Sequence, residues 1–409
     1  MRRVVITGRG ALSPLGHDWA SVHAHLRSGR NAVRRFDEWG QYKGLNTRLG
    51  VPCAPFELPD HYNRKTLRSM GRVAMLATRA SELALADAGL LGDPVLKSGR
   101  VGISYGSSAG TPSSIGDFGR MLSEMTTQYI NATTYIKMMS HTAPVNIGVF
   151  FGINGRIITT SSACTSGSQG IGFAYEAIKS GKQVAMLAGG CEELDVTDAT
   201  VFDTLFATST LNDTPELTPR PFDADRDGLV VGEGACTLVL EDLEHAQARG
   251  ATIHAEIVGF GTNSDGLHVT QPNATTMAVA MRLALEDAGL PPEAIAYVNA
   301  HGTATDHGDI AETTATHAVF GERMPISSLK SYTGHTLGAC GALEAWVTLE
   351  MMREGWFHPT LNLKNVDPRC GALDYVTGDG RAIDAEYAMS NNFAFGGINT
   401  SLVLRRWNA

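Results

Sequence analysis

The sequence has neither a long apolar run nor a recognisable sorting signal. No apolar stretch approaches the roughly 20 residues that a transmembrane helix needs. The opening segment Met1–Gly8 contains no apolar core of a secretory signal and no small-residue cleavage site. We therefore expect a cytoplasmic protein without a membrane partner.

Cysteine is scarce, and basic residues are outnumbered. The chain has 6 cysteines in 409 residues, with no C-x-x-C pair and no regular spacing. A disulfide framework and a cysteine-rich zinc site are both disfavoured, and a reducing compartment fits best. The net charge of −9 argues against general binding to nucleic acid or anionic lipid.

No proline-rich linker or low-complexity tract divides the chain, but an internal repeat does. The segment Leu83–Leu90 reappears almost unchanged as Leu283–Leu290. Each copy has the pattern of a helix end that is closed by a glycine, Gly89 or Gly289. A short apolar strand follows each copy, which indicates a duplicated unit.

Two further pairs of segments recur in the same order. Ser161–Cys164 and Gly334–Gly338 each open a glycine-rich helix, and Gly232–Leu240 resembles Gly396–Leu404. Strands that alternate with helices predict a parallel or mixed sheet with helices on both faces. The sequence therefore predicts two packed α/β halves, residues 1–250 and 251–409.

One cysteine lies where a strand gives way to a helix. The β-branched run Arg156–Thr160 precedes Cys164, and Thr165–Ile178 continues with helical spacing. A helix N-terminus lowers a thiol pKa and offers backbone N–H groups to an oxyanion. This context leaves a nucleophile and an ordinary buried cysteine equally open, whereas the other cysteines fit the structural role.

Two histidines of the second half lie at strand ends among glycine and threonine. His301 follows the strand Tyr297–Asn299, and His335 closes the segment Lys330–His335. A single histidine in such a place is more often structural. Two of them, opposite the Cys164 segment, favour a shared cleft with a nucleophile and two imidazoles.

These segments together resemble the β-ketoacyl-acyl carrier protein synthases, most closely the elongating enzymes of fatty-acid synthesis. The resemblance covers nearly the whole chain. The segments that carry it are Thr160–Cys164, Pro221–Ala235, His301–Thr305, Lys330–His335 and Asn391–Asn399. It implies a thiolase-like fold, in which two duplicated α/β halves form a layered α-β-α-β-α core.

The resemblance also implies a decarboxylative condensation. An acyl chain moves from acyl carrier protein to Cys164, malonyl-carrier protein loses CO₂, and the carbanion attacks the Cys164 thioester. The product is a 3-oxoacyl-carrier protein. His301 and His335 would stabilise the enolate, and the N–H groups of Cys164 and Phe395 would form a second oxyanion hole. No cofactor is expected beyond the phosphopantetheine of the carrier.

Further roles follow from the resemblance by position. Lys330 and Glu344 would support the histidines, with Asp309 and Glu312 as structural partners. Thr270, Thr303 and Thr305 would line the pantetheine tunnel. Separately, Arg64, Lys65 and Arg68 place three cations on one or two helical turns of an acidic chain, and we expect them to dock the acidic carrier. Asn299, Glu344, Ser390 and Asn391 would hold a structural monovalent cation. A homodimer, or a heterodimer with a chain-length factor, is expected.

Three departures from the family pattern bear on the acyl chain and the pathway. They are Gln169, Ala304 and Ala394. Housekeeping fatty-acid synthesis and a specialised polyketide or polyene pathway both remain open. A non-catalytic chain-length factor would lack the nucleophile, and a thiolase would carry a second cysteine in Phe393–Gly397. The resemblance implies that the loop carrying Phe395 swings like a gate to admit the acyl chain, with a neighbouring glycine absorbing the backbone change. Ala394 in place of that glycine predicts either a stiffer gate or a hinge confined to Gly396 and Gly397, unless residue 394 stays extended throughout.

Overall fold

The computed structural model describes residues 1–408. Within these residues the strands are β1 Val4–Leu12, β2 Arg34–Arg35, β3 Leu49–Val51, β4 Val101–Gly106, β5 Ile157–Thr160, β6 Ala185–Glu192, β7 Val231–Gly232, β8 Gly234–Asp242, β9 Ala255–Ser264, β10 Ile295–Asn299, β11 Pro325–Ser327, β12 Trp356–Phe357, β13 Asp374–Tyr375, β14 Arg381–Ala382, β15 Tyr387–Ala394 and β16 Ile398–Arg406.

The helices are α1 Trp19–Arg27, α2 Arg72–Asp87, α3 Pro112–Glu124, α4 Ala132–Met138, α5 Thr142–Phe151, α6 Ser166–Lys179, α7 Val196–Asp203, α8 Leu243–Ala248, α9 Ala274–Ala288, α10 Asp306–Phe320, α11 Lys330–Thr333 and α12 Cys340–Glu354. A short 3₁₀ turn, Leu337–Ala339, precedes α12. None of the helices within residues 1–408 combines the length and apolar character that crossing a bilayer requires.

The main sheet repeats one topology twice. The first half has the order β1-β8-β6-β4-β5, and the second has β9-β16-β15-β10-β11. In each half the first two pairings are antiparallel and the last two are parallel. A three-residue antiparallel pairing of β1 with β9 joins the halves, and β13 extends the second half beyond β11. The duplicated α/β fold is confirmed.

Five layers follow from the helix contacts. Helices α6 and α12 contact each other and strands of both halves, so they form the central layer. Helix α2 covers the first half of the sheet, and α9, with α10 packed on it, covers the second. Strands β4 and β6 are buried at every residue because helices cover both faces.

The central helices meet where neither has a side chain. A Cβ placed on Gly167 of α6 would lie 2.9 Å from the carbonyl oxygen of Gly338. One placed on Gly341 of α12 would lie 2.8 Å from the backbone nitrogen of Ser168. Glycine at these positions therefore lets the two backbones approach each other closely.

Local signals in the sequence account for the ends of the repeated helices. Gly89 and Gly289 follow α2 and α9 with φ of 67° and 66°, the left-handed conformation of a C-terminal cap. Residues 249–254 connect the halves between α8 and β9.

Candidate active site

Cys164 lies in the tight turn between β5 and α6. The strand ends at Thr160 and the helix begins at Ser166. Ala163 adopts a φ of 50°, a left-handed conformation that is uncommon for alanine. The Cys164 sulfur is 2.9 Å from Nε2 of His335.

The two histidines reach this sulfur from neighbouring parallel strands. His301 follows β10, whereas His335 follows β11 after the short helix α11. Their rings are 5.1 Å apart and nearly perpendicular. One nitrogen of each ring and the Cys164 sulfur all lie within 4.8 Å of one another. The structure therefore brings the three predicted residues together.

Both imidazoles are neutral and carry their proton on Nε2. Nδ1 of His335 accepts a hydrogen bond from the Leu337 N–H at 3.3 Å, and Nδ1 of His301 faces the Lys330 ammonium at 3.1 Å. Burial and the charge of Lys330 lower the pKa of each histidine well below 6.5. Each ring therefore offers an N–H donor, because its lone pair on Nδ1 is already engaged.

Lys330 is buried and forms an ion pair with Glu344. Burial opposes the charge of Lys330, but the Glu344 carboxylate, with smaller contributions from Cys340 and Glu312, raises the lysine pKa above its ordinary value. Glu344 also accepts a hydrogen bond of 2.6 Å from Nδ2 of Asn392. Sequence reasoning missed Asn392, which lies within the C-terminal loop segment but carries no motif of its own.

The thiol of Cys164 differs from the expectation for a helix terminus. Burial raises its pKa to about 12, against the opposing effects of Lys330 and of hydrogen bonds from the Cys164 and Phe395 N–H groups. The predicted lowering of the pKa is therefore wrong for this structure. Helix α6 begins two residues beyond Cys164, and loss of water around the sulfur has the larger effect.

Phe395 lies directly after β15 and packs on Phe202 of α7. The two ring centroids are 5.2 Å apart, and Phe202 also approaches His335 at 6.3 Å. Phe202 has no sequence motif and was not predicted. The left-handed conformations in this turn belong to Gly396 and Gly397, with φ of 86° and 72°. Ala394 ends β15 in the strand, so it carries no left-handed penalty in this conformation.

A cavity of about 530 Å³ leads to Cys164 and the two histidines. All three threonines that were predicted to line the pantetheine tunnel, Thr270, Thr303 and Thr305, line this cavity. The hydroxyl oxygens of Thr303 and Thr305 are 2.8 Å apart.

Two buried carboxylates hold the loop that carries His301. Glu312 accepts hydrogen bonds of 2.7 Å from the N–H groups of both His301 and Gly302. Asp309 accepts bonds from Phe222 at 2.8 Å and from Ala304 at 3.1 Å. Burial raises the pKa of Glu312 to about 8 and that of Asp309 to about 6.

The predicted helical placement of Arg64, Lys65 and Arg68 is wrong. All three are exposed, but they lie in successive turns, because the Asn63 side chain accepts hydrogen bonds from the N–H groups of Lys65 and Thr66. None of the three lines the cavity, and none forms an ion pair within residues 1–408.

Three of the four residues predicted to hold a cation lie on adjacent strands, and the fourth, Glu344, lies on α12. Asn299 of β10 pairs in register with Ser390 of β15, and its Nδ2 donates to the Ser390 Oγ at 3.2 Å. Both polar side-chain atoms of the buried Asn391 lack a protein partner among the described residues. Glu344 is already engaged by Lys330 and Asn392.

Family models match most of the chain. A model described as "Beta-ketoacyl synthase, N-terminal domain" covers residues 1–246, and one described as "Beta-ketoacyl synthase, C-terminal domain" covers residues 254–364. A relative from Haemophilus influenzae, named 3-oxoacyl-[acyl-carrier-protein] synthase 1, is 37% identical over 100% of both chains.

Solved structures show the same likeness. The crystal structure of a Beta-ketoacyl synthase from Burkholderia phymatum STM815 is 63% identical, with a TM-score of 0.99 and full coverage of both chains. A structure titled "The ishigamide ketosynthase/chain length factor" is 32% identical, with a TM-score of 0.89 and full coverage of both chains. The predicted thiolase-like condensing-enzyme fold is confirmed.

Proposed function

Because the chain belongs to the β-ketoacyl synthase family, we propose that it catalyses the decarboxylative condensation of malonyl-acyl carrier protein with an acyl group on Cys164. The product is a 3-oxoacyl-acyl carrier protein. The observation that supports this best is the Cys164 sulfur, 2.9 Å from Nε2 of a neutral His335 and beside a neutral His301.

The first half-reaction is acyl transfer to Cys164. The sulfur attacks the carbonyl carbon of the acyl-carrier thioester, and the thiol proton passes to the departing pantetheine sulfur. The N–H groups of Cys164 and Phe395, which hydrogen-bond the resting sulfur, stabilise the negative charge that develops on the carbonyl oxygen.

The second half-reaction uses the two imidazoles. Their N–H groups donate to the thioester oxygen of malonyl-carrier protein, while the bond to the carboxylate breaks and CO₂ departs. The resulting enolate carbon attacks the acyl carbonyl on Cys164, and the cysteine sulfur leaves. Fixed donors at the enolate oxygen lower the barrier by roughly 3–4 kcal/mol each. Burial and the charge of Lys330 keep both rings neutral and able to donate.

The substrates reach the cavity on the phosphopantetheine arm of an acyl carrier protein, as the name of the Haemophilus relative indicates for that protein. Thr270, Thr303 and Thr305 line the route, and Arg64, Lys65 and Arg68 supply positive charge for an acidic carrier. A cytoplasmic location is consistent with all six cysteines being free thiols.

A second copy of the chain covers the outer edge of the first half. Strand β5 ends the sheet there, with Ile157 exposed. Leu122 and Met125 near the end of α3 are 72% and 93% exposed, and Val149 of α5 is 77% exposed. This edge favours a homodimer, whereas the similarity to the ishigamide ketosynthase/chain length factor keeps a heterodimer as a second candidate.

The donor set around Ser390 fits a structural monovalent cation. The Ser390 hydroxyl, the Asn299 amide oxygen and the Glu344 carboxylate lie on one side of the sheet and supply oxygen ligands. The Asn391 side chain points to the opposite face of β15, because side chains alternate along a strand. Such an ion would hold the neighbouring strands β10 and β15 together behind the His301 loop, and it would take no part in the chemistry.

Incubation with a panel of acyl-carrier and malonyl-carrier proteins tests the function. We expect intact-protein mass spectrometry to show acyl transfer to the enzyme, peptide mapping to locate it on Cys164, and 3-oxoacyl products to follow. The Cys164→Ala variant is the matched control. Absence of acylation across the panel, or acylation at another residue, would contradict the proposal.

A further inference from the structure

Four exposed apolar side chains surround the mouth of the active-site cavity. Two lie on the loop after α7, where Leu205 is 46% and Phe206 is 88% exposed. Two lie on the loop between β9 and α9, where Leu267 is 78% and Val269 is 69% exposed. Leu205, Phe206 and Val269 also line the cavity. We call these four residues the apolar rim.

Among the four residues of the apolar rim, Phe206 has a backbone conformation and an exposure that the fold of the chain does not account for. Its N–H donates to the carbonyl of Asp203, and the Ala207 N–H donates to that of Phe202. These two bonds form a Schellman cap at the end of α7, in which Phe206 occupies the left-handed position with φ of 53°. Glycine is the usual residue there, because a bulky side chain strains the backbone.

The strain at Phe206 has no compensating burial within the chain. A buried ring would gain the free energy of apolar transfer, but this ring lies almost wholly in water. A bulky residue in a strained position with an exposed ring indicates a contact outside the chain, since aromatic side chains are prominent among the residues that anchor interfaces.

Charge around the mouth does not supply an alternative contact. Among the described residues that line the cavity, Arg226 is the one lysine or arginine. Its side chain is 2% exposed and is paired with Asp367 at 2.7 Å. Asp306, which also lines the cavity, is paired with Arg369 at 2.5 Å. Two further lining carboxylates, Asp227 and Asp265, accept hydrogen bonds from hydroxyl, backbone and amide groups of the chain. The mouth therefore offers a partner apolar area and few free charges.

We infer that the apolar rim is the surface on which the acyl carrier protein seats itself when its pantetheine arm enters the cavity, with Phe206 as the principal contact. The inference rests on the proposed function, because a substrate that enters while attached to a protein brings that protein against the mouth. Arg64, Lys65 and Arg68 do not line the mouth, so their electrostatic contribution is separate from the rim contact.

Acylation of Cys164 by two donors tests the inference. One donor is an acyl-carrier protein, and the other is the same acyl group on pantetheine alone. For Phe206→Ala we expect the ratio of kcat/KM between carrier-borne and carrier-free donors to fall at least tenfold, through KM for the carrier. Phe206→Leu should restore most of the ratio. Leu91→Ala, another exposed leucine away from the cavity, is the control and should leave the ratio unchanged.

Two further measurements distinguish a rim contact from backbone strain and from surface charge. Phe206→Gly should lower the ratio equally while raising the thermal midpoint, because glycine relieves the left-handed strain. The effect at Phe206 should persist in high salt, whereas neutralising Arg64, Lys65 and Arg68 should matter mainly in low salt. The Leu267→Ser, Val269→Ser double variant should also lower the ratio.

Several results would overturn the inference. One is an unchanged donor ratio in the Phe206 variants, and another is an equal loss with both donors. A change in oligomeric state by light scattering in Phe206→Ala would assign the rim to a second copy of the chain instead. Failure of the proposed function looks different, because the wild-type protein would then acylate Cys164 with neither donor.

Discussion

In the first half of the molecule, β5 leads through a tight turn into α6, and the turn presents Cys164. In the second half, β11 occupies the equivalent place and leads through α11 and a 3₁₀ turn into α12, presenting Lys330 and His335. The same strand–turn–helix position thus carries the proposed nucleophile in one half and an imidazole with its supporting cation in the other. The proposed reaction uses both, and the shared core brings them together.

The comparison is sharpest between two buried thiols. Cys340 begins α12, and its Sγ donates to the carbonyl oxygen of Cys164 at 3.2 Å. Burial, together with the nearby Glu344 carboxylate, raises the pKa of Cys340 well above 9. Cys164 lines the cavity and Cys340 does not. Access to the cavity and the contact with Nε2 of His335, more than burial or thiol pKa, distinguish the proposed nucleophile.

Replacing each cysteine with alanine should give the largest difference in condensation activity between the two sites. Cys164→Ala should reduce condensation by roughly 10⁴-fold or more, because the covalent intermediate is lost. Cys340→Ala should reduce it less than about fivefold, since it removes only two weak hydrogen bonds, one to the Cys164 carbonyl and one from the Asn392 amide. Product formation by mass spectrometry measures both, and comparable losses would remove the distinction between the two thiols.

The two histidines, which both come from the second half of the chain, are proposed to donate to the malonyl thioester oxygen. Their loss should therefore affect decarboxylation more than acyl transfer. His301→Ala and His335→Ala should each slow malonyl decarboxylation by roughly 100- to 1,000-fold, as expected for loss of one oxyanion donor. Some acyl transfer to Cys164 should remain, because the backbone N–H groups of Cys164 and Phe395 are unchanged. Separate assays of CO₂ release and of acylation test this, and equal losses in both would contradict it.

The duplication of the two halves was predictable from the sequence. The repeated segments around Leu83 and Leu283, each closed by a glycine cap, predicted it because such signals are local. The pKa of Cys164 was not predictable, since it depends on water exclusion by the assembled core. Phe202 and Asn392 were missed for a similar reason. Their roles arise from contacts across the fold, and the residues themselves lack a distinctive local pattern.

A pH profile tests the electrostatic control that Lys330 exerts on both histidines. The pKa of each ring is depressed well below 6.5, so the rings stay neutral and able to donate until the pH falls well under that value. Wild-type decarboxylation should therefore retain most of its rate at pH 6. In the Lys330→Met, Glu344→Leu double variant the acid limb should move up by about one pH unit or more, because a neighbouring positive charge is gone. An unmoved limb would assign the low pKa to burial alone.

The smallest expected effect concerns two alanines in left-handed conformations, one beside each catalytic segment. Ala163 precedes Cys164 with φ of 50°, and Ala304 follows His301 by three residues with φ of 64°. Replacing either with glycine should raise the free energy of unfolding by roughly 1 kcal/mol, because glycine adopts this conformation without strain. Urea denaturation measures the change. A loss of stability at one site only would show that the two turns are not equivalent.

The protonation of the imidazoles has a consequence for metal ions. Cys164, His301 and His335 have the spacing of a zinc site, with one sulfur and two nitrogens within 4.8 Å. A metal needs an imidazole lone pair, yet here Leu337 and Lys330 engage the Nδ1 lone pairs and each Nε2 carries a proton. Zinc would have to displace both protons beside a fixed ammonium group. The arrangement that suits this trio to its proposed role as a donor site for an enolate therefore also makes it a poor chelator.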